Sequence, residues 1–202
     1  LIFAPLQTTL KNLYHQSIEM ISFSTMLISN VSYIPSNFVA SYLIDTYGLR
    51  FGIILGATLT TIGLWIRCLC KESFYFIFIG QCFAGMAQPF FYSTPQKISN
   101  TWFSTEERTL ATTVIAISLN IGNALGAFLP QFFIDINSTD SDKILNQLRF
   151  MMITMACIGT VVMLIVVILF KEKPLTPPSK SAATPKYSYK ESVKTFMKDK
   201  NA

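Results

Sequence analysis

The feature that most limits what this chain can fold into is a succession of apolar runs, each about as long as a bilayer is thick. They cover Met20–Ile44, Phe51–Cys70, Ser73–Pro95, Thr109–Ile134 and Phe150–Phe170, and Leu1–Leu6 reads as the tail of one more. A helix crosses the hydrocarbon in roughly 20 residues. With no water in the hydrocarbon, backbone groups must pair within helices or within a closed barrel. These runs are too long, and alternate too little, for barrel strands of about 9–11 residues. Only 13% of residues are charged and 51% are hydrophobic, where a soluble domain carries about 25% charge. The expected class is an all-α, multi-span membrane protein. The chain opens inside an apolar stretch without Met and stops in a polar one, so a fragment is expected. No charged segment or cleavage site of a signal peptide precedes the first loop.

Between the runs at residues 20–44 and 51–70 lies the chain's most informative connection, Ser41-Tyr-Leu-Ile-Asp45-Thr-Tyr-Gly48-Leu-Arg50. It packs an acid, a turn glycine and a base against the membrane surface, as a latch between helices would. The blander alternative is that Asp45 caps a helix end while Arg50 meets lipid phosphate.

Polar residues inside the spans mark candidate cavity positions. In residues 20–44, Ser22, Thr25, Ser29, Ser32 and Ser36 recur at helical spacing and share one face. Small hydroxyl residues so spaced let membrane helices approach closely and bond across the gap. Asn30, near mid-span, is the better candidate for a water-filled cavity, and Pro35 is expected to bend the helix. Arg67 is expected to snorkel to the interface from its span's end. Gln81 and Gln88 lie seven residues apart in one apolar span; they serve either helix–helix hydrogen bonds or a pathway. Asn120 and Asn123 share a face of the 109–134 span. Asn120 is the ligand candidate there, and Gly122-x-x-x-Gly126 reads as a close helix contact.

The connections add little chemistry. Residues 7–19 read as a polar loop holding the only histidine, His15. Lys97–Arg108 reads as a loop with Trp102 and Phe103 as interfacial anchors, and Ser104 with Glu107 fits a capping box. Asn137-Ser138-Thr139 is a glycosylation acceptor if it faces the exterior. The four cysteines form no CxxC and no metal-spaced set with histidine; they read as small buried hydrophobes. No catalytic set, metal site or cofactor is indicated. From Lys171 the chain turns Pro-rich and basic, holding eight of the sixteen Lys and Arg. It reads as a membrane-exit linker meeting anionic headgroups, with residues 189–200 as a short amphipathic helix and no nucleic-acid role. Placing this tail with Asp45–Arg50 and Lys97–Arg108 puts eleven basic residues on one side against five on the other, so that side is expected to be cytoplasmic and Asn137 external.

The Asp45-x-x-Gly48-Leu-Arg50 loop resembles the signature between spans 2 and 3 of the major facilitator superfamily, Gly-x-x-x-Asp-x-x-Gly-Arg-Arg/Lys, departing from it at Ser41 and Leu49. Gly63-Leu-Trp-Ile-Arg-Cys68, Gly80-Gln-Cys82 with Ala87-Gln88, Trp102-Phe103, and the tail blocks Phe170-Lys-Glu-Lys-Pro174, Pro177-Pro-Ser179 and Tyr187-Ser-Tyr-Lys190 resemble one branch. That branch is the feline leukaemia virus subgroup C receptor-related carriers of haem, choline and ethanolamine. The resemblance implies that residues 1–170 are the N-terminal six-helix bundle of such a transporter, with helix 1 mostly missing. It makes residues 171–202 the cytoplasmic linker to a missing C-terminal half. It implies a plasma-membrane facilitator working by alternating access on a small organic solute, choline or ethanolamine first. Asn120, Asn30, Gln88 and Asn123 would then face the substrate cavity, and Asp45, Gly48 and Arg50 would form the gating loop. A haem carrier and a non-transporting receptor are the competing expectations. No carboxylate lies inside a span, which favours movement without a proton relay.

Overall fold

The computed structural model describes residues 3, 6–135, 140–172 and 174. Among the described residues the only regular elements are helices: α1 Gln7–Tyr14, α2 Ile18–Ser22, a π-helical turn Phe23–Leu27, α3 Ile28–Tyr47, α4 Leu49–Arg67, α5 Phe74–Tyr92, α6 Thr94–Trp102, α7 Arg108–Phe133 and α8 Ser141–Leu169. Four helical stretches are long and apolar enough to cross a membrane: α4, α5 running on into α6, α7 and α8. The helical path through α2, the π turn and α3 is more polar because the hydroxyl stripe runs along it.

Several connections expected to be loops are helical. Residues 7–14 form α1, whose Leu10 is buried and whose Tyr14 hydroxyl donates to the Cys70 carbonyl at 2.6 Å. Burial holds that hydroxyl well above its ordinary pKa, so it remains a donor. The chain after α5 turns at Ser93 and resumes as α6, leaving only residues 103–107 as a link. There the Ser104 hydroxyl meets the Glu107 carboxylate at 3.0 Å, side chain to side chain, and α7 starts at Arg108. The expected capping box is therefore not formed. Residues 141–149 belong to α8: the Asp140 carboxylate accepts from the Asp142 and Lys143 amides, and Ile144 and Leu148 turn one buried stripe inward. Asn137, residues 175–202 and four of the first five residues lie outside the described residues.

α5 packs between α3 and α4, α8 packs on the other side of the bundle against α4, and α7 packs against α6 and α8. One apolar cluster gathers Leu6, Leu10, Ile21, Phe74, Ile77 and Met151 at one end of the bundle. A second gathers Ala40, Ile44, Leu49, Ile53 and Phe90 at the other, with Val166 and Phe170 of the α8 end packed on it. Between them α5 approaches its neighbours backbone to backbone. A Cβ on Gly63 would lie 2.8 Å from the Gly80 carbonyl oxygen, and one on Gly80 would lie 2.6 Å from that of Gly63. Toward α3, a Cβ on Gly85 would stand 2.6 Å from the Ser29 carbonyl oxygen. The hydroxyl stripe thus permits the close approach expected of it. Its Thr25 and Ser36 hydroxyls, however, donate to the Ile21 and Ser32 carbonyls of their own helix at 2.7 Å each, not across the gap.

Arg67 departs from expectation. It does not snorkel: it is 6% exposed, its Nη2 donates to the Gly80 carbonyl at 2.9 Å, and its guanidinium stands 5.8 Å from the Phe3 ring centroid. The buried Phe3 ring lies over the guanidinium and Cys70 of the following turn is buried beside the helix end, so the packed position of Arg67 replaces a path to water. Gln81, one residue on from Gly80, is also buried and donates to the Thr25 carbonyl inside the π turn at 2.6 Å. Pro35 lies within α3, and the departure from α geometry comes earlier, at residues 23–27. Among the described residues the Gly122/Gly126 contact is not made: nothing lies within 4 Å of a Cβ at either position.

Overpacking a tight core costs typically about 1–3 kcal/mol. Gly80→Val, which would drive a side chain into Gly63 and Arg67, is expected to lower the melting temperature of the full-length protein in detergent.

Candidate functional site

The Gly48 turn works because glycine does two things there. Its φ of +94° is a conformation that L side chains rarely adopt, and a Cβ would lie 2.6 Å from Glu172 Oε1. Glu172 follows the end of α8 and folds back over the start of α4. Its Oε1 accepts from the Leu49 amide at 2.7 Å and its Oε2 from the Arg50 amide at 2.5 Å. Two charge-assisted bonds at a helix N-terminus satisfy donors that the helix itself leaves unpaired, and the negative charge suits that end of the dipole. The Arg50 guanidinium adds Nη2 to the Val167 carbonyl at 3.2 Å, on the last turns of α8.

Asp45 does not pair with Arg50. Its carboxylate forms an ion pair with Lys97 on α6, both side chains about one-third exposed. The latch read from one short loop is therefore two ties to distant elements: α3 to α6 through Asp45 and Lys97, and α4 to the α8 end through Glu172 and Arg50. Neither Lys97 nor Glu172 is singled out by any local sequence pattern. Lys97 read as a loop residue and Glu172 as part of a basic tail.

Asp45 lies between two cavities. One, of about 570 Å³, is bounded by Gly48, Arg50, Phe51, Ile54 and Glu172. The other, of about 670 Å³, opens between α3, the α5–α6 junction and α7, within the size range of small-molecule sites, roughly 300–1,000 Å³. Its wall carries Ser41, Asp45, Tyr92, Gln96, Lys97, Thr112 and Asn120. Asn120 and Asp45, widely separated candidates in the sequence, thus share one cavity. The Asn120 amide donates to the Ala116 carbonyl of its own helix at 3.1 Å, which steadies the side chain on the wall.

The other candidates are not among the residues that line this cavity. Asn30 and Asn123 are exposed on α3 and α7, and Gln88 is half-buried on α5. Tyr92 and Thr112 join the wall unforeseen. Tyr92 stacks edge-on against Tyr33 with ring centroids 6.2 Å apart, and the Thr112 hydroxyl lies 2.8 Å from that of Ser99. Among the described residues no group of three or more His, Cys, Asp or Glu is arranged to hold a metal ion. What the wall offers is one carboxylate, one ammonium, hydroxyls, amides and an aromatic ring. That set suits binding of a small polar or cationic solute.

The major facilitator superfamily model matches residues 1–201. The chain is 29% identical over 181 residues to the choline/ethanolamine transporter FLVCR1 of Felis catus, covering 86% of this chain and 32% of that protein. It is 30% identical over 182 residues to the choline/ethanolamine transporter flvcr2b of Danio rerio, covering 86% and 37%. Identity to the choline/ethanolamine transporter FLVCR2 of Homo sapiens is 28% over 193 residues, covering 92% and 36%. The chain spans about a third of the length of these curated relatives.

Each bond to an ionised group is worth about 1.5–3 kcal/mol, and every 1.4 kcal/mol is tenfold. Glu172→Ala is thus expected to speed hydrogen exchange at the Leu49 and Arg50 amides by on the order of tenfold or more, read by mass spectrometry on the full-length protein. Unchanged exchange would mean that the carboxylate does not hold the start of α4.

Proposed function

The chain belongs to the major facilitator superfamily, and from that premise we propose that the protein of which it forms part carries a small organic ammonium solute, choline or ethanolamine, across a membrane by alternating access. The observation that carries this reading is the shared cavity of Asp45 and Asn120, an open site with polar groups set among apolar ones, bounded by three parts of a helix bundle whose curated relatives are named choline/ethanolamine transporters. A cation leaving water needs compensating partners, and this wall supplies an anion, amide and hydroxyl acceptors and the Tyr92 ring.

In this proposal the residues take distinct roles. Asn120 helps to line the solute path, with Asn30, Gln88 and Asn123 contributing from other faces of the bundle. Asp45, Gly48 and Arg50 form a gating loop that ties helix ends together in one state and lets them part in the other. Solvated ion pairs are worth little, about 0–1 kcal/mol, so a tie such as Asp45–Lys97 holds one state without locking it. The span interiors carry Asn, Gln, Ser and Thr as polar groups in place of carboxylates, which supports facilitated movement without a proton relay. The basic side of the bundle, with the Asp45 loop, is taken as cytoplasmic, the membrane as the plasma membrane, and Asn137 as external.

Cells expressing the full-length protein are expected to show saturable uptake of radiolabelled choline or ethanolamine that survives collapse of the pH gradient and falls severalfold in Asp45→Ala. Absence of saturable uptake would favour a receptor, and loss of uptake with the gradient would reject the uncoupled mechanism. For orientation, glycosidase treatment is expected to shift the wild-type band on a denaturing gel and to leave Asn137→Gln unmoved.

A further inference from the structure

The ion pair on the cavity wall is built asymmetrically. Lys97 takes Oδ1 of Asp45, and among the described residues no donor takes Oδ2. Among the described residues, Asp45 is the one carboxylate on the wall of this cavity and Lys97 the one cation. The pair is about one-third exposed, so its ammonium is held only weakly against competition. A second ammonium can therefore reach Oδ2 from the cavity while Lys97 still occupies Oδ1, and then displace it. The arriving ammonium adds one positive charge to the site, and the displaced Lys97, already about one-third exposed, is taken up by water and not left buried without a partner. Acceptors for a solute N–H or O–H lie on the same wall in Asn120 and Gln96, and the Tyr92 ring can face a quaternary amine.

We infer that this cavity is an organic-ammonium subsite in which Asp45 is the anion and Lys97 a tethered competitor, so that an arriving solute releases α3 from α6. The inference rests on the amine-transport reading above and adds to it a ligand-driven release of the Asp45–Lys97 tie. It gives the two partners opposite effects. Asp45→Asn removes the anion and weakens ammonium binding, whereas Lys97→Met removes the competitor and strengthens it. If the pair were only a tie between helices, both variants would break the same bond and shift binding in the same direction.

The experiment places a reporter on the wall. In the full-length protein carrying Ser93→Cys, alkylation at position 93 is followed by mass spectrometry while choline chloride or ethanolamine hydrochloride is titrated, with sodium chloride as the control. Both amines are expected to slow alkylation and sodium is not. The half-protecting amine concentration should rise severalfold with Asp45→Asn and fall severalfold with Lys97→Met, the size expected of a partly solvated ion pair. Should Asp45→Asn fail to fold, the downward shift in Lys97→Met and a near-wild-type value in Asp45→Glu carry the test. Equal protection by sodium, or shifts of one sign in both variants, would overturn the subsite and leave the transport reading standing. Saturable uptake without protection at position 93 would do the same. Absence of both uptake and protection would remove the transport reading and the subsite together.

Discussion

Everything else in the bundle hangs on how closely α5 can approach the helices beside it. At Gly63 and Gly80 the backbones of α4 and α5 come so near that a methyl group on either would collide with the other's carbonyl. That closeness brings the Gly80 carbonyl within reach of Arg67, and it sets Gln81 against the π turn before α3. One level of the bundle is thereby cross-braced from α4 through α5 to the second helical path by two buried side-chain donors. In low-dielectric surroundings such bonds are costly to leave unmade, so they specify one arrangement of the three helices. Arg67 is the extreme case: its guanidinium is buried with a carbonyl and an aromatic ring as partners, while its Nε has no hydrogen-bond partner among the described residues. A long cationic side chain is tolerated there because its stem packs against Gly80, where any larger residue would exclude it.

The opposite end of the bundle is held by weaker and more exchangeable forces. Glu172 and Arg50 join α4 to the α8 end through charge-assisted bonds to backbone groups, whereas Asp45 and Lys97 join α3 to α6 through an ion pair open to water. Bonds to backbone amides are directional and local. A partly solvated ion pair is neither, and it accepts substitution by any cation that fits. A buried cross-brace lies at one level and a partly solvated ion pair beside a cavity at another, and the proposed rocking motion would draw on that difference. The two apolar clusters at the bundle ends serve the same division, since neither includes the cavity wall.

The relation to superfamily transporters and the geometry bear on different parts of the functional reading. The family match covers residues 1–201 and supplies the class of machine. The cavity wall sets one carboxylate and one ammonium, paired with each other, beside amides, hydroxyls and a tyrosine, and the proposed amine solute is argued from that set. These two lines meet at Asp45, which belongs both to the loop that resembles the superfamily signature and to the cavity wall.

By itself the sequence determined the class of fold and marked the polar and charged positions that the proposed function uses. Runs long enough to cross a bilayer leave helices as the solution, and an acid, a glycine and a base in one short turn mark a strained, charged connection. Both are local properties, legible because helical periodicity and turn chemistry act over a few residues. The hydroxyl stripe of α3 was legible for the same reason, and so was Asn120 as a polar group deep in a span. Only the tertiary structure decided the partners. Asp45 meets Lys97 52 residues away, Glu172 reaches back more than 120 residues to the start of α4, and Gln81 finds Thr25 at a separation of 56. No local pattern encodes such pairings, because they follow from which helix faces pack together. The same cause buried Arg67 and turned expected loops into α1, α6 and the first turns of α8. A residue's type records what it is able to bond; packing determines what comes within reach.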